Sequence, residues 1–159
     1  MVEDAKFEDA RDEPLRLRAM DVDDVPIISA LIQDAVFPIS EMTWDQKHRR
    51  FALLLNRFRW EDVNPNTARK HDYERVQSVL VVEDVMNVAS QGVDRTDADV
   101  ILSVLSLTFT AGDDGMGRIE ITLAGDGAIA LDVETLELTL EDVTQPYIAP
   151  SRHQPSHDT

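Results

Sequence analysis

The stretch from Gly117 to Val133 alternates with a period of two on both sides of a turn. Ile119, Ile121 and Leu123 are separated by Glu120 and Thr122, AGDGA (124–128) interrupts, and Ile129, Leu131 and Val133 resume the pattern. A period of two places every apolar side chain on one face of an extended chain, and a Gly-Asp-Gly turn supplies the positive φ that a tight hairpin needs. GDDGMG (112–117) reads as a second such turn, following a strand over 100–110, VILSVLSLTFT. Successive hairpins of this kind can bury their apolar faces only as an antiparallel sheet around a common core.

The rest of the chain fits around that sheet. Leu15, Leu17 and Ala19 alternate with Arg16 and Arg18 as a first short strand. Asp21, Asp23 and Asp24 then place capping groups and negative charge before a helix predicted over about 23–34, with Pro26 in its first turn. Ile28, Leu31, Ile32 and Ala35 fall on one face of that helix. After Pro38, Met42 and Trp44 share one side of a strand, DQKH is a turn, and RRFALLLNRFRW (49–60) returns. On that return strand Phe51, Leu53 and Leu55 share a face with Arg57 and Arg59, whereas Arg50, Ala52, Leu54, Asn56, Phe58 and Trp60 share the other. Both faces are partly apolar, so a strand covered on both sides is expected. Residues 61–72 read as a protruding loop, and 76–90 as one bent strand or two strands turning at Glu83–Asp84. Residues 135–143 fit a strand through Leu136, Leu138 and Leu140 and a helix through Val133, Leu136, Leu140 and Val143, and the pattern leaves both open.

The chain has 159 residues, enough for one core, and no cysteine, which removes disulfides, thiolate metal sites and cysteine nucleophiles. Its net charge is −16. A field of that sign repels phosphate backbones and anionic lipid, so neither general nucleic-acid binding nor a membrane partner is expected. No stretch approaches the roughly 18 apolar residues of a membrane helix, and the N-terminus has no signal-like apolar run. A cytoplasmic location is the resulting expectation. The charge is nevertheless uneven: residues 47–75 carry 8 bases and 4 acids, against 4 and 12 before them and 2 and 14 over 76–151.

That basic segment supplies the candidate site, Arg49, Arg50, Arg57, Arg59 and Trp60. Guanidinium groups offer a rigid fork of donors to carboxylate or phosphate, and Trp is a common anchor at interfaces. The competing reading is that the arginines neutralise the protein's own acids across strands and that Trp44 and Trp60 belong to the core. His153 and His157 have helical spacing but lie in a proline-flanked tail, His48 reads as a solvated turn residue, and Asp94, Asp97 and Asp99 lack the order of a calcium loop. No phosphate loop, nucleophile elbow or zinc motif is present, so no catalytic residue, metal or cofactor is assigned.

LRLRAMDVDDVPIISALIQDAVFPISEM followed by KHRRFALLLNRFRWE resembles an uncharacterised bacterial family, mainly alphaproteobacterial, of domains of unknown function. The resemblance continues through RVQSVLVVEDVMNVASQGVDR, ILSVLSLTFT and GAIALDVETLELTLEDV, and is most specific at IQDAV (32–36), RRFALLLNRFRWE (49–61) and SQGVDR (90–95). It implies a self-standing bacterial domain and carries no activity with it.

The expected fold is α+β: a mainly antiparallel sheet of seven or eight strands, curled into a partial barrel or two layers as in pleckstrin-homology-like domains, with one helix in the N-terminal half. Residues 1–13 are expected to be a disordered acidic arm, 14–145 one domain and 146–159 a proline-containing tail. The expected function is a non-enzymatic binding or adaptor role, with the 47–60 hairpin contacting an acidic protein partner or a second copy. The alternative is an enzyme or sensor holding a small anionic metabolite through the same arginines.

Overall fold

The computed structural model describes residues 14–60, 74–94, 96–145 and 147–148; the expected N-terminal arm and the 61–72 loop lie outside them. Eleven strands form one antiparallel sheet: β1 (Arg16–Ala19), β2 (Val36–Pro38), β3 (Met42–Asp45), β4 (Arg50–Phe58), β5 (Glu74–Val82), β6 (Val85–Gln91), β7 (Ile101–Ala111), β8 (Gly117–Leu123), β9 (Ala128–Val133), β10 (Leu138–Asp142) and β11 (Tyr147–Ile148). Their order is β1-β10-β5-β4-β2-β7-β8-β9-β6, with β3 pairing with β4 and β11 with β5. The two ends of that path, β1 and β6, do not pair with each other, so the sheet stays open.

The hairpins stand where the glycine and aspartate turns put them. Asp114 and Asp126 take φ of 57° and 70°, with Gly115 after the first at φ 81° and Gly125 before the second at φ 82°. The 76–90 run divides into two strands at Glu83–Asp84, where Asp84 has φ 57°. The open choice at 135–143 resolves to strand β10, because Leu138 and Leu140 pair with Val82 and Leu80 of β5 and are fully buried. The strand count exceeds the expected seven or eight chiefly through β2 and β11, which are too short to show an alternation. β11 also lays part of the expected tail against β5.

Helix α1 (Val25–Leu31) follows a 3-10 turn (Val22–Asp24) whose first N–H groups are met by Asp21: its side chain accepts from the N–H of Asp23. Pro26 sits in the first turn, as its missing N–H requires. The helix ends earlier than 34, and Asp34 turns the chain with φ 66° into β2. Val25, Ile28, Ile32 and Ala35 are buried in a single core that also takes Phe51, Leu53 and Leu55 of β4, Leu80 of β5, Leu107 of β7 and the inward residues of β8 and β9. One curled sheet face and one helix face thus enclose the apolar interior. The outer face of β4, at Ala52, Leu54, Asn56 and Phe58, is only half-buried. No second layer covers it among the described residues.

Candidate functional site

The alternation of β4 decides what its arginines can do. Arg57 and Arg59 continue the line of Phe51, Leu53 and Leu55, so the strand carries both guanidiniums inward: Arg57 is 0% exposed and Arg59 5%. Burying a cation requires a paired anion and satisfied donors. For Arg57 the anion is Asp142 of β10, 3.0 Å away, and Arg57 Nε also donates to Ser78 Oγ at 2.9 Å. Ser78 in turn donates to Asp142 Oδ1 at 2.6 Å, and the other carboxylate oxygen accepts the Leu15 N–H at 2.8 Å. One buried network therefore joins β4, β5 and β10 to the chain entering β1. Arg59 donates to Glu74 at 3.0 Å.

Arg49 and Arg50 lie at the other end of the strand, on the hairpin turn, and are exposed. Arg49 is bonded to Glu134 at 2.8 Å and Arg50 to Glu83 at 3.1 Å. The predicted set is thus divided. Arg57 and Arg59 are sequestered, Arg49 and Arg50 sit beside carboxylates of the chain's own turns, and no one surface presents all four. Trp60 stands apart from that turn: it is 38% exposed, its indole N–H donates to the Gln33 carbonyl oxygen at 2.9 Å, and its ring lies 5.3 Å from that of Phe58. The Arg75 guanidinium covers the far ring, 4.0 Å from the Phe58 centroid.

Gln33 leads to a concavity on the helix side of the sheet. Between α1 and β7 runs a groove of about 460 Å³, walled by Val22, Pro26, Ser29, Ala30 and Gln33 on the helix side and by Leu105, Leu107, Thr108 and Phe109 on the strand side. Its shape follows from how the edge of β7 is used. Near its start the strand is covered: Phe37 pairs with Leu102, and Val104 exchanges bonds with Ala35 and Asp34. A bulge then shifts the register between Val104 and Ser106 and leaves Leu105 47% exposed. Beyond the bulge β2 is absent, and Ser29 Oγ of α1 accepts the Leu107 N–H at 2.9 Å. By ladder alternation the N–H and C=O groups of Phe109 and Ala111 point to the same edge as those of Leu107. No described residue pairs with that edge at Phe109 and Ala111.

Gly117 shapes the floor. A side chain there would collide with the Phe109 ring and the Thr110 carbonyl oxygen, so the ring can lie flat over the glycine only because no Cβ is present. The rim is acidic. Asp21, Asp23 and Asp24 precede the helix, Asp34 follows it and Glu120 stands opposite Thr108 on β8; no described residue forms an ion pair with any of these five.

Elsewhere the polar contacts described lie within turns or between neighbouring strands. His48 Nδ1 lies 2.9 Å from Asp45 Oδ2, and that hydrogen bond holds the Asp45 carboxyl below the usual range. The Thr96 hydroxyl does the same for Asp94, and Arg118 for Asp132, whose partner guanidinium is raised in return. Among the described residues no group of three or more His, Asp or Glu side chains could hold a metal ion, and no helix is long and apolar enough to cross a membrane. His71, His153 and His157 lie outside the described residues.

Sequence reasoning singled out Trp60, which bonds to Gln33, but not Ser29, Phe109 or Gly117. A signal was present: apolar Val22, in the turn before the helix, and Leu105 on β7 both line the groove while 53% and 47% exposed. A family model described as a protein of unknown function, DUF2948, matches residues 15–157. No curated protein and no solved structure matches the chain.

Proposed function

We propose that this chain, which belongs to the DUF2948 family of proteins of unknown function, is a non-enzymatic binding or adaptor domain whose docking surface is the groove between α1 and β7. The observation that carries the reading is the apolar groove itself, lying beside strand edge that neither β2 nor Ser29 occupies. Exposed edge backbone is a template for pairing, and folds generally cover it unless it is used. Trp60 keeps a place in this reading, since its bond to Gln33 fixes it at the end of the groove. The arginines take a structural role instead. Arg57 and Arg59 give their guanidiniums to Asp142 and Glu74, which disfavours the alternative of an anionic metabolite gripped by all four.

The test compares affinity capture by wild type, Ala30→Trp and an Arg49→Glu/Arg50→Glu variant, each first checked for a wild-type unfolding transition. Ala30 is exposed on the helix and lines the groove, so a tryptophan there fills it without touching the core. The reading expects a partner that Ala30→Trp loses and the double charge reversal keeps. The opposite pattern would transfer the site to the hairpin and its acidic partner, and a concentration-dependent mass with no other protein retained would point to a second copy.

A further inference from the structure

Resting on the groove as the docking surface, we infer that its occupant is an extended peptide segment of another protein, alternating apolar with Lys or Arg residues, that adds as a strand to β7 at Phe109 and Ala111. Three observations select this occupant. First, the unused groups of the edge are backbone N–H and C=O, which an extended chain satisfies in register and a helix cannot, because a helix consumes its own. Leu107 is already held by Ser29, so the added strand begins beyond the helix contact and runs along Phe109 and Ala111.

Second, the walls are apolar where alternate side chains of such a strand would fall, against Pro26 and Ala30 on one side and Phe109 on the other. Third, the residues next to the lining are carboxylates without ion-pair partners among the described residues, and together they make an acidic rim: Asp21 and Asp23 flank Val22, Asp24 precedes Val25, Asp34 follows Gln33 and Glu120 pairs across with Thr108. Arg118 of β8 forms its ion pair with Asp132 at 2.9 Å and meets Glu120 only through a weaker charge interaction. Such a rim favours a basic segment and repels an acidic one. It also disfavours a second copy, because two chains of net charge −16 would meet across the same acids.

The experiment pans a phage-displayed library of random decapeptides against the full chain, with the Ala30→Trp protein as counter-selection. Enriched sequences are then synthesised and titrated calorimetrically. Enrichment of peptides alternating apolar and basic residues is expected, with affinity falling severalfold as salt rises from low to physiological concentration. N-methylation at alternate residues is the decisive arm. A strand uses the N–H groups of one parity only, so methylation in one register should cost about tenfold or more and in the other much less. Peptides that bind the groove but tolerate methylation in both registers, or that carry no basic residues, would overturn strand addition by a basic segment while leaving the groove as a docking site. Absence of any enrichment above the Ala30→Trp background would overturn both.

Discussion

Arg57 carries a fully buried charge, held by the Asp142 carboxylate, the Ser78 hydroxyl and the Phe58 carbonyl oxygen among its partners. Removing the anion while keeping the cation strands a charge in the core. Asp142→Asn is therefore expected to cost about 3–5 kcal/mol in urea unfolding, and a double variant that also replaces Arg57 by Met should recover much of it. Arg49→Ala and Arg50→Ala, which break half-exposed pairs, should each cost less than about 1 kcal/mol. Alternation placed Arg57 and Arg59 on the face of Phe51, Leu53 and Leu55. What no local pattern could show was Asp142, eighty-five residues away, waiting to neutralise one of them. The carboxyls of Asp45, Asp94 and Asp132 are held low by His48, Thr96 and Arg118 respectively. A group depressed in the folded state stabilises it fully above the unfolded value, about 3.9 for aspartate, and loses that contribution as pH falls through the lower folded value. Melting temperature should thus drop below about pH 4, and less steeply in Asp132→Asn.

At the scale of elements, turn chemistry was the most legible feature. Asp34, Asp84, Asp114 and Asp126 all adopt positive φ, so part of the aspartate surplus that composition suggests is for solubility serves the backbone at strand junctions. Helix α1 was legible through its core face, while its end at Ile32 and the bond from Ser29 to Leu107 depend on a strand far away in sequence. β2 was illegible because three residues cannot display a period. The pairing of β8 with β7 depends on Gly117 lying beneath Phe109. Gly117→Val is expected to destabilise the fold by about 1–3 kcal/mol through overpacking. It should also tilt the ring into the groove, so peptide affinity is expected to fall further than in an equally destabilised variant of the β4–β5–β10 half. Calorimetric titration of the two, at a temperature where both are folded, separates these effects.

For the molecule as a whole, the antiparallel sheet, and among the described residues its one α-helix and the core between them, were readable from periodicity, since those properties sum over many local choices. The groove was not, because it depends on where pairing stops: β2 ends, Ser29 of α1 takes the Leu107 N–H, and no described residue pairs with the edge at Phe109 and Ala111. Charge acts at this scale too. A compact body with net charge −16 is under self-repulsion that salt screens, so the melting temperature should rise between low and half-molar sodium chloride. The open edge itself is tested most directly by residue-resolved amide hydrogen exchange of the full chain, free and with a panned peptide bound. The account expects the Phe109 and Ala111 amides to exchange fast in the free protein, unlike their neighbours Thr108 and Thr110, and to slow by at least about tenfold in the complex. Amides already protected in the free chain, or unchanged when peptide is bound, would contradict it.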